Sequence, residues 1–357
     1  MKKKITFIIN SLEGGGTEKH LLQLVKFLKK KYYISIFSFC DGRLKSLFDK
    51  EKVKIKVPKD NENSLVCFIK YLFKNDTDCY HFFLPKSYLV GGFLTFFSTK
   101  KKIMSRRSLN YYHSKYLNFS LYLEKILHSR MDIILTNSAL ARKQLILDEK
   151  IPEKKVKLIK NLYKIKKQQN IRKLYNLNSK EIVFAIIANL IPYKGHIDLI
   201  RASSKIVFKD WKLLIIGEDR NNYKATLEKE VKKLELDKNI IFTGFMDNIE
   251  SYLKDIDFVV NVSEEEGSSN SLLQSIANGL PILVYDIESN KEFVRHNKNG
   301  FLVKKGNLSE LTRFIEMIFD DKKRKEMSNF SKFLFENLFD YKKSEEKYLQ
   351  IYRDLID

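Results

Sequence analysis

The chain has 357 residues, of which 44% are hydrophobic and 31% charged, and its formal net charge is +22 at pH 7. That composition excludes a disordered polypeptide, and the length suits two domains rather than one core. The charge leaves two readings side by side, a general Lys/Asn/Ile bias or attraction to an anionic surface or substrate; no nucleic acid partner is expected, because no recognition module or aromatic-basic repeat accompanies it.

After Met1, three lysines lead into a short apolar run that stops before Asn10 and Glu13. This is too short for a signal peptide and predicts a first strand. The runs Ile5–Ile9, Tyr33–Phe39, Val53–Val57, Cys79–Phe83, Ile103–Ser105, Ile133–Thr136 and Val156–Ile159 predict strands buried on both faces, as in a parallel sheet. Segments of helical period, such as Glu18–Lys30 and Ser114–Arg130, separate most of them. The longest apolar stretch, Tyr88–Phe97, is well under the roughly 20 residues of a membrane span and ends at Lys100, Lys101 and Lys102. It predicts a buried helix first, and a helix touching a membrane surface second. Cys40, Cys67 and Cys79 have neither metal-ligand nor redox spacing, which fits a reducing compartment.

The polar, basic stretch Lys164–Lys180 has no apolar period and predicts a linker. The strand rhythm then restarts with Ile182–Ala188, Lys212–Ile216, Ile240–Thr243, Phe258–Val262 and Ile282–Tyr285, and Tyr341–Leu355 closes the chain as an amphipathic helix. The fold class expected is α/β, with two Rossmann-like doubly wound domains facing across a cleft: residues 1–165, residues 166–340, and a last helix, 341–357, crossing back to the first.

Three loops carry candidate chemistry. The first strand runs into Ser11-Leu12-Glu13-Gly14-Gly15-Gly16-Thr17-Glu18 before a helix, where glycines admit close backbone approach and a helix start offers free N–H groups; a tight turn without a ligand reads equally well. Strand Ile182–Ala188 leads into Pro192-Tyr193-Lys194-Gly195-His196, and a Lys just past a strand end can reach a diphosphate as a mobile charge. Strand Phe258–Val262 delivers Ser263-Glu264-Glu265-Glu266-Gly267-Ser268-Ser269-Asn270 to a helix expected over Ser271–Asn278. Such a start binds phosphate through its backbone, and Gln274, one turn in, could meet a ribose hydroxyl. A charged surface loop with an ordinary cap is the plainer reading. Asp255 and Asp257 have the spacing of a metal dyad but precede their strand, so no metal site is expected.

These segments together resemble glycosyltransferase family 4, the retaining group 1 glycosyltransferases of GT-B fold, nearly end to end. Gly15-Gly16-Thr17-Glu18 is similar to that family's Gly-Gly-x-Glu loop, Ser105–Tyr112 to a segment of its polysaccharide-assembly members, and Pro192–His196 to its Lys-Gly motif. Glu266 and Gln274 fall on its two-glutamate signature; Asn278-Gly279-Leu280-Pro281 and Asn299–Val303 match its closing motifs. The resemblance implies an acceptor-binding first domain and a second domain that binds a nucleotide sugar. It places Glu266 near the donor sugar, the backbone of Gly267, Ser268 and Ser269 on sugar hydroxyls, and Asn270, Ser271 and Leu272 on the phosphates. It gives Gln274 the ribose and Lys194 the diphosphate, with Gly15 and Gly16 closing on the diphosphate from the other domain. His81 matches a position near the acceptor with a catalytic role, a structural histidine being the alternative. Arg106, Arg107, Asn110 and Tyr111 are the implied acceptor contacts. Two departures stand out: the second signature glutamate is Gln274, and Asn189 or Ile191 stands where the family's phosphate-binding Arg falls.

The implied activity is retaining, metal-independent hexosyl transfer, with no cofactor and a UDP- or GDP-linked sugar as co-substrate. The implied acceptor is a glycan or polyprenyl-diphosphate-linked oligosaccharide, in lipopolysaccharide or capsule assembly. The expected location is cytoplasmic, with a peripheral place on the anionic inner face of the membrane as its extension. Two other readings remain: a non-catalytic GT-B subunit that binds a nucleotide or glycan, and a nucleotide-sugar epimerase, for which no acid/base pair is visible in the sequence.

Overall fold

The computed structural model describes residues 2–108, 118–163, 168–219, 222–339 and 341–357. The chain divides into two compact units, Met1–Leu162 with Tyr341–Asp357, and Tyr163–Asp340.

In the first unit the described strands are β1 (Lys4–Ile9), β2 (Tyr33–Ser38), β3 (Lys54–Lys56), β4 (Cys79–Phe83), β5 (Lys101–Arg106), β6 (Ile133–Thr136) and β7 (Val156–Leu158). They form a sheet in the order β3-β2-β1-β4-β5-β6-β7, every neighbouring pair parallel. The helices are α1 (Gly16–Leu28), α2 (Lys45–Asp49), α3 (Ser64–Lys74), α4 (Pro85–Leu94), α5 (Asn118–Ser129) and α6 (Ala139–Leu147). Strand residues alternate between two cores because successive side chains point to opposite faces. Ile5, Phe7 and Ile9 of β1 meet α1 on one face, while Ile8 meets the core that holds Cys67, Phe68 and Tyr71 of α3 and Tyr88 of α4 on the other.

The second unit repeats the plan. Strands β8 (Ile182–Ile187), β9 (Trp211–Ile216), β10 (Ile240–Gly244), β11 (Phe258–Asn261), β12 (Ile282–Tyr285) and β13 (Gly300–Val303) lie in the order β10-β9-β8-β11-β12-β13, again all parallel. Its helices are α7 (Ile171–Leu174), α8 (His196–Ser203), α9 (Tyr223–Lys233), α10 (Asn270–Ala277), α11 (Leu308–Phe319) and α12 (Asp321–Leu338). Phe184 and Ile186 of β8 enter one core and Val183 and Ala185 the other. The last helix, α13 (Tyr341–Ile356), belongs to the first unit: Tyr348, Tyr352 and Ile356 are buried in the α1 core, and the Tyr348 hydroxyl lies 2.9 Å from His20 Nε2.

Four expectations need correction. The segment 164–180 is not all linker: Ile171 is fully buried, and α7 starts at an Asn170 cap tied to the sheet through Asp255 Oδ2, which accepts from the Ile171 N–H at 3.1 Å. Gly300–Val303 is a strand, not only a closing motif. Helix α10 begins at Asn270, because Ser269 is its cap. Finally, α4 is buried on one side only: Tyr88 and Gly91 face the core, while Phe93 is 65% exposed.

Candidate functional site

In an open parallel sheet, ligands bind beyond the carboxyl ends of the strands where the strand order reverses. In the second unit that point lies between β8 and β11. Beyond β8 the chain makes a turn over Pro192–Lys194 and enters α8 through Gly195, which has a left-handed φ of 73°. A Cβ there would stand 2.2 Å from the Val262 carbonyl oxygen, so only glycine lets this turn close against the end of β11. The Glu264 N–H donates to the Tyr193 carbonyl at 2.9 Å and locks the two loops together.

That contact sets the central feature of the site. Lys194 Nζ lies 2.6 Å from Glu266 Oε1, the side chains being 14% and 15% exposed. The Ser263 hydroxyl donates to the same carboxylate oxygen at 3.1 Å, and the ammonium sits 4.9 Å from the centre of the Tyr193 ring. The three successive acids thus divide their work. Glu264 turns out to Lys305 at 2.7 Å, Glu265 is exposed, and Glu266 turns in. Behind them Ser269 caps α10, its hydroxyl accepting from the Leu272 N–H at 3.4 Å and from Asn261 Nδ2 at 3.3 Å, with Ser271 Oγ 2.9 Å away. Gly267, Ser268, Asn270, Ser271 and Gln274 are partly exposed around this helix start, whereas Leu272 is fully buried and can offer only its backbone. His196 is fully buried, and burial pushes its pKa down to about 4, so it stays neutral beside Lys194. Sequence reasoning quoted Ser263 without giving it a role. Only the folded loop reveals that it holds the Glu266 carboxylate.

Asp255 and Asp257 precede β11, at the opposite end of the strands. Asp257 Oδ2 accepts from Arg172 Nη2 at 2.7 Å and from the Val183 N–H at 2.8 Å, and Asp255 binds α7. Both carboxylates hold the unit together. Among the described residues no cluster of His, Cys, Asp and Glu could hold a metal ion.

In the first unit the order reverses between β1 and β4. Gly15 is the N-cap of α1, and the Glu18 carboxylate folds back against it: Oε2 would lie 2.4 Å from a Cβ at position 15, and Oε1 accepts from the Ser11 hydroxyl at 3.3 Å. Gly16 follows as the first residue of α1. Burial pushes the Glu18 carboxyl above its ordinary range, against the pull of its own backbone, Ser11 and Arg107. Across the edge, Leu84 starts α4 with φ 72°, a backbone strain of about 1–3 kcal/mol for a non-glycine residue. Arg107, at the end of β5, donates through Nη2 to Asn161 Oδ1 at 2.6 Å and stays partly exposed. Glu18 was only a motif letter in the sequence; its burial under Gly15 adds it to this edge.

Two sequence expectations are corrected here. His81 lies in the middle of β4, not at its end, and is fully buried. Its Nδ1 meets the Tyr352 hydroxyl of α13, its Nε2 is 2.8 Å from Ser105 Oγ, and its ring stacks on Phe83 at 4.3 Å. With both nitrogens used and its pKa held well down by burial, it is a structural histidine. Arg106 is 1% exposed, paired with Glu124 at 2.9 Å and Glu149 at 3.4 Å, so its guanidinium serves the interior rather than an acceptor. Asn110 and Tyr111 lie outside the described residues.

Residues 167–332 match the family model "Glycosyl transferases group 1". Over 349 residues the chain is 25% identical to the N-acetylgalactosamine-N,N'-diacetylbacillosaminyl-diphospho-undecaprenol 4-alpha-N-acetylgalactosaminyltransferase of Campylobacter jejuni, covering 92% of this chain and 94% of that protein. A 190-residue match at 25% identity, 52% of this chain and 49% of the other, joins it to the Escherichia coli UDP-Gal:alpha-D-GlcNAc-diphosphoundecaprenol alpha-1,3-galactosyltransferase. Among solved structures, Anabaena Alr3699/HepE in complex with UDP-glucose superposes with a TM-score of 0.87 at 19% identity, over 99% of this chain and 100% of that one. The protein is therefore a glycosyltransferase of GT-B fold. The family match falls in its second unit, which is similar to the group 1 glycosyltransferases.

Proposed function

We propose that the chain transfers a hexosyl group, with retention and without a metal ion, from a UDP- or GDP-linked sugar to a polyprenyl-diphosphate-linked or related glycan acceptor in cell-surface polysaccharide assembly. The observation that carries this reading is the Lys194–Glu266 pair beside the Ser269-capped start of α10. Breaking the bond from the anomeric carbon to the phosphate oxygen leaves negative charge on the diphosphate and positive charge on the sugar. Lys194 and the amides at the start of α10 face the first charge, and the Glu266 carboxylate faces the second. The fixed cation and the helix start supply the charge that a divalent ion would otherwise bring. The acceptor hydroxyl attacks from the face the diphosphate leaves, and a phosphate oxygen takes its proton. Gln274 takes the ribose, and its amide offers both a donor and an acceptor where a glutamate offers only acceptors.

The acceptor class rests on what the two curated relatives are named for, undecaprenyl-diphosphate-linked substrates. Arg107, partly exposed at the strand-end edge of the first unit, suits its diphosphate. No helix among the described residues is long and apolar enough to cross a membrane, and the net charge of +22 favours a peripheral place on an anionic surface. Incubation with a panel of UDP- and GDP-sugars, reading free nucleotide and transfer to a lipid-linked diphosphate glycan, tests this reading. One donor is expected to turn over in the wild type, and EDTA should leave the rate unchanged. Activity abolished by EDTA and restored by a divalent ion would overturn the metal-free part. A product of opposite anomeric configuration would overturn retention.

A further inference from the structure

Helices α3 and α4 lie on the same face of the first unit's sheet and share one core. They are neighbours there: Phe39 packs against Phe68 of α3 with ring centres 5.1 Å apart, and Lys86 of α4 stands over the same Phe39 ring at 4.8 Å. Each is apolar on both sides, which is the pattern of a helix covered all round. In α3, Cys67, Phe68 and Tyr71 are buried, yet Leu65 and Val66 are each 46% exposed and Phe73 is 88% exposed. In and just after α4, Phe93 is 65% and Phe97 94% exposed. Neither helix contains an acidic residue, and both carry exposed lysines: Lys70 and Lys74 on α3, Lys86 on α4. Between Cys79 and Met131 the only acid is Glu124, and it is buried against Arg106. Of the flanking acids, Glu62 pairs with Lys56 at 3.3 Å and Asp76 with Lys4 at 2.8 Å, while Asp60 is exposed in the loop before α3.

An apolar surface studded with cations, whose nearest exposed acid, Asp76, is paired with Lys4 and Lys100, is complementary to an anionic bilayer, whose acyl boundary takes aromatic rings while its headgroups take the ammonium groups. We infer that the outer face formed by α3 and α4 is the membrane-docking surface, with Leu65, Val66, Phe73, Phe93 and Phe97 entering an anionic lipid leaflet. The inference deepens the proposal of a peripheral enzyme with a lipid-linked acceptor and rests on that reading.

The test is co-sedimentation of the full chain with vesicles of phosphatidylglycerol and phosphatidylcholine in equal parts, against vesicles of phosphatidylcholine alone. The comparison is between wild type and Phe73→Ser/Phe93→Ser/Phe97→Ser, with donor hydrolysis measured in parallel. All three side chains are exposed, so the variant is expected to fold and to hydrolyse donor like the wild type, while binding anionic vesicles at least about tenfold more weakly. A second variant, Lys70→Glu/Lys74→Glu, should lose binding to the anionic vesicles selectively. Unchanged vesicle binding in both variants overturns the assignment, even if the enzyme is active. A wild-type dimer made monomeric by the serine substitutions overturns it too, because the occupant would then be a second copy of the chain. Vesicle binding that depends on these residues in a protein inactive with every donor leaves the docking surface standing and removes the enzymatic reading instead.

Discussion

At Lys194 the ammonium is already held by a carboxylate, so a diphosphate bound there, as proposed, would compete with Glu266 for it. Replacing Lys194 with Ala removes the cation and leaves Glu266 facing the phosphates, and transfer should fall on the order of 100- to 1000-fold in kcat, the usual loss for one preorganised donor. Glu266→Gln keeps the shape but loses the charge; large loss of transfer with little change in folding is expected, and equal transfer rates in variant and wild type would remove its assigned role. Gly195→Ala is expected to cost more than about 1 kcal/mol in a melting experiment, because its left-handed φ is unfavourable for any side chain and the Val262 carbonyl blocks the new Cβ. At this scale the sequence was informative about placement: the loops after β8 and β11, quoted from the sequence as carrying candidate chemistry, do bring Lys194 and Glu266 together. It was misleading where a residue type has an equally good structural use. His81 and Arg106 look like site residues in one dimension, but each occupies a core position. Which of three consecutive glutamates turns inward depends on Ser263, Lys194 and Lys305, which only the folded loops bring together.

Helix α10 is short, and its start is built as a cap: Ser269 supplies the oxygen and Asn261 steadies it. Ser269→Ala should lower stability by about 1 kcal/mol and, on the proposed reading in which the amides it orders meet the phosphates, raise the KM for the donor. A loss of stability with KM unchanged would mean that the helix start does not touch the donor. Strand runs were readable because parallel strands covered on both faces need continuous apolar residues. The elements that escaped carry weak patterns. Only four residues long, α7 has a single fully buried residue, Ile171, and is fixed by Asp255 and Asp257 from far along the chain. β13 is equally short and begins at a glycine that suggests a turn.

Across the whole molecule, buried neutral histidines make folding sensitive to acid. His196 has its pKa pushed down to about 4 from an ordinary 6.5, chiefly by burial, and burial likewise holds those of His20 and His81 well below that value. A depressed histidine contributes stability that is fully present above about 6.5 and is lost as pH falls toward the folded value. For His196 alone the difference amounts to about 3 kcal/mol. The melting temperature should therefore fall between pH 7 and pH 4.5, and His196→Leu should flatten that fall; an unchanged pH profile in the variant would show that His196 titrates alike in the folded and unfolded chain. The two-unit architecture followed from the sequence because the strand rhythm stops and restarts. The division lies between Leu162 and Tyr163, just before the polar stretch read as the linker, since Tyr163 is buried in the second unit's core and its hydroxyl accepts from Asn278 Nδ2 at 3.1 Å.

The grip on a diphosphate by the second unit is tested most directly by calorimetric titration of UDP, GDP and the matching free nucleosides into wild type and Lys194→Ala. The wild type should bind one of the diphosphates at least about tenfold more tightly than its nucleoside, and the variant should lose that difference while keeping its affinity for the nucleoside. A preference for the diphosphate that is the same in both proteins would contradict the role of Lys194.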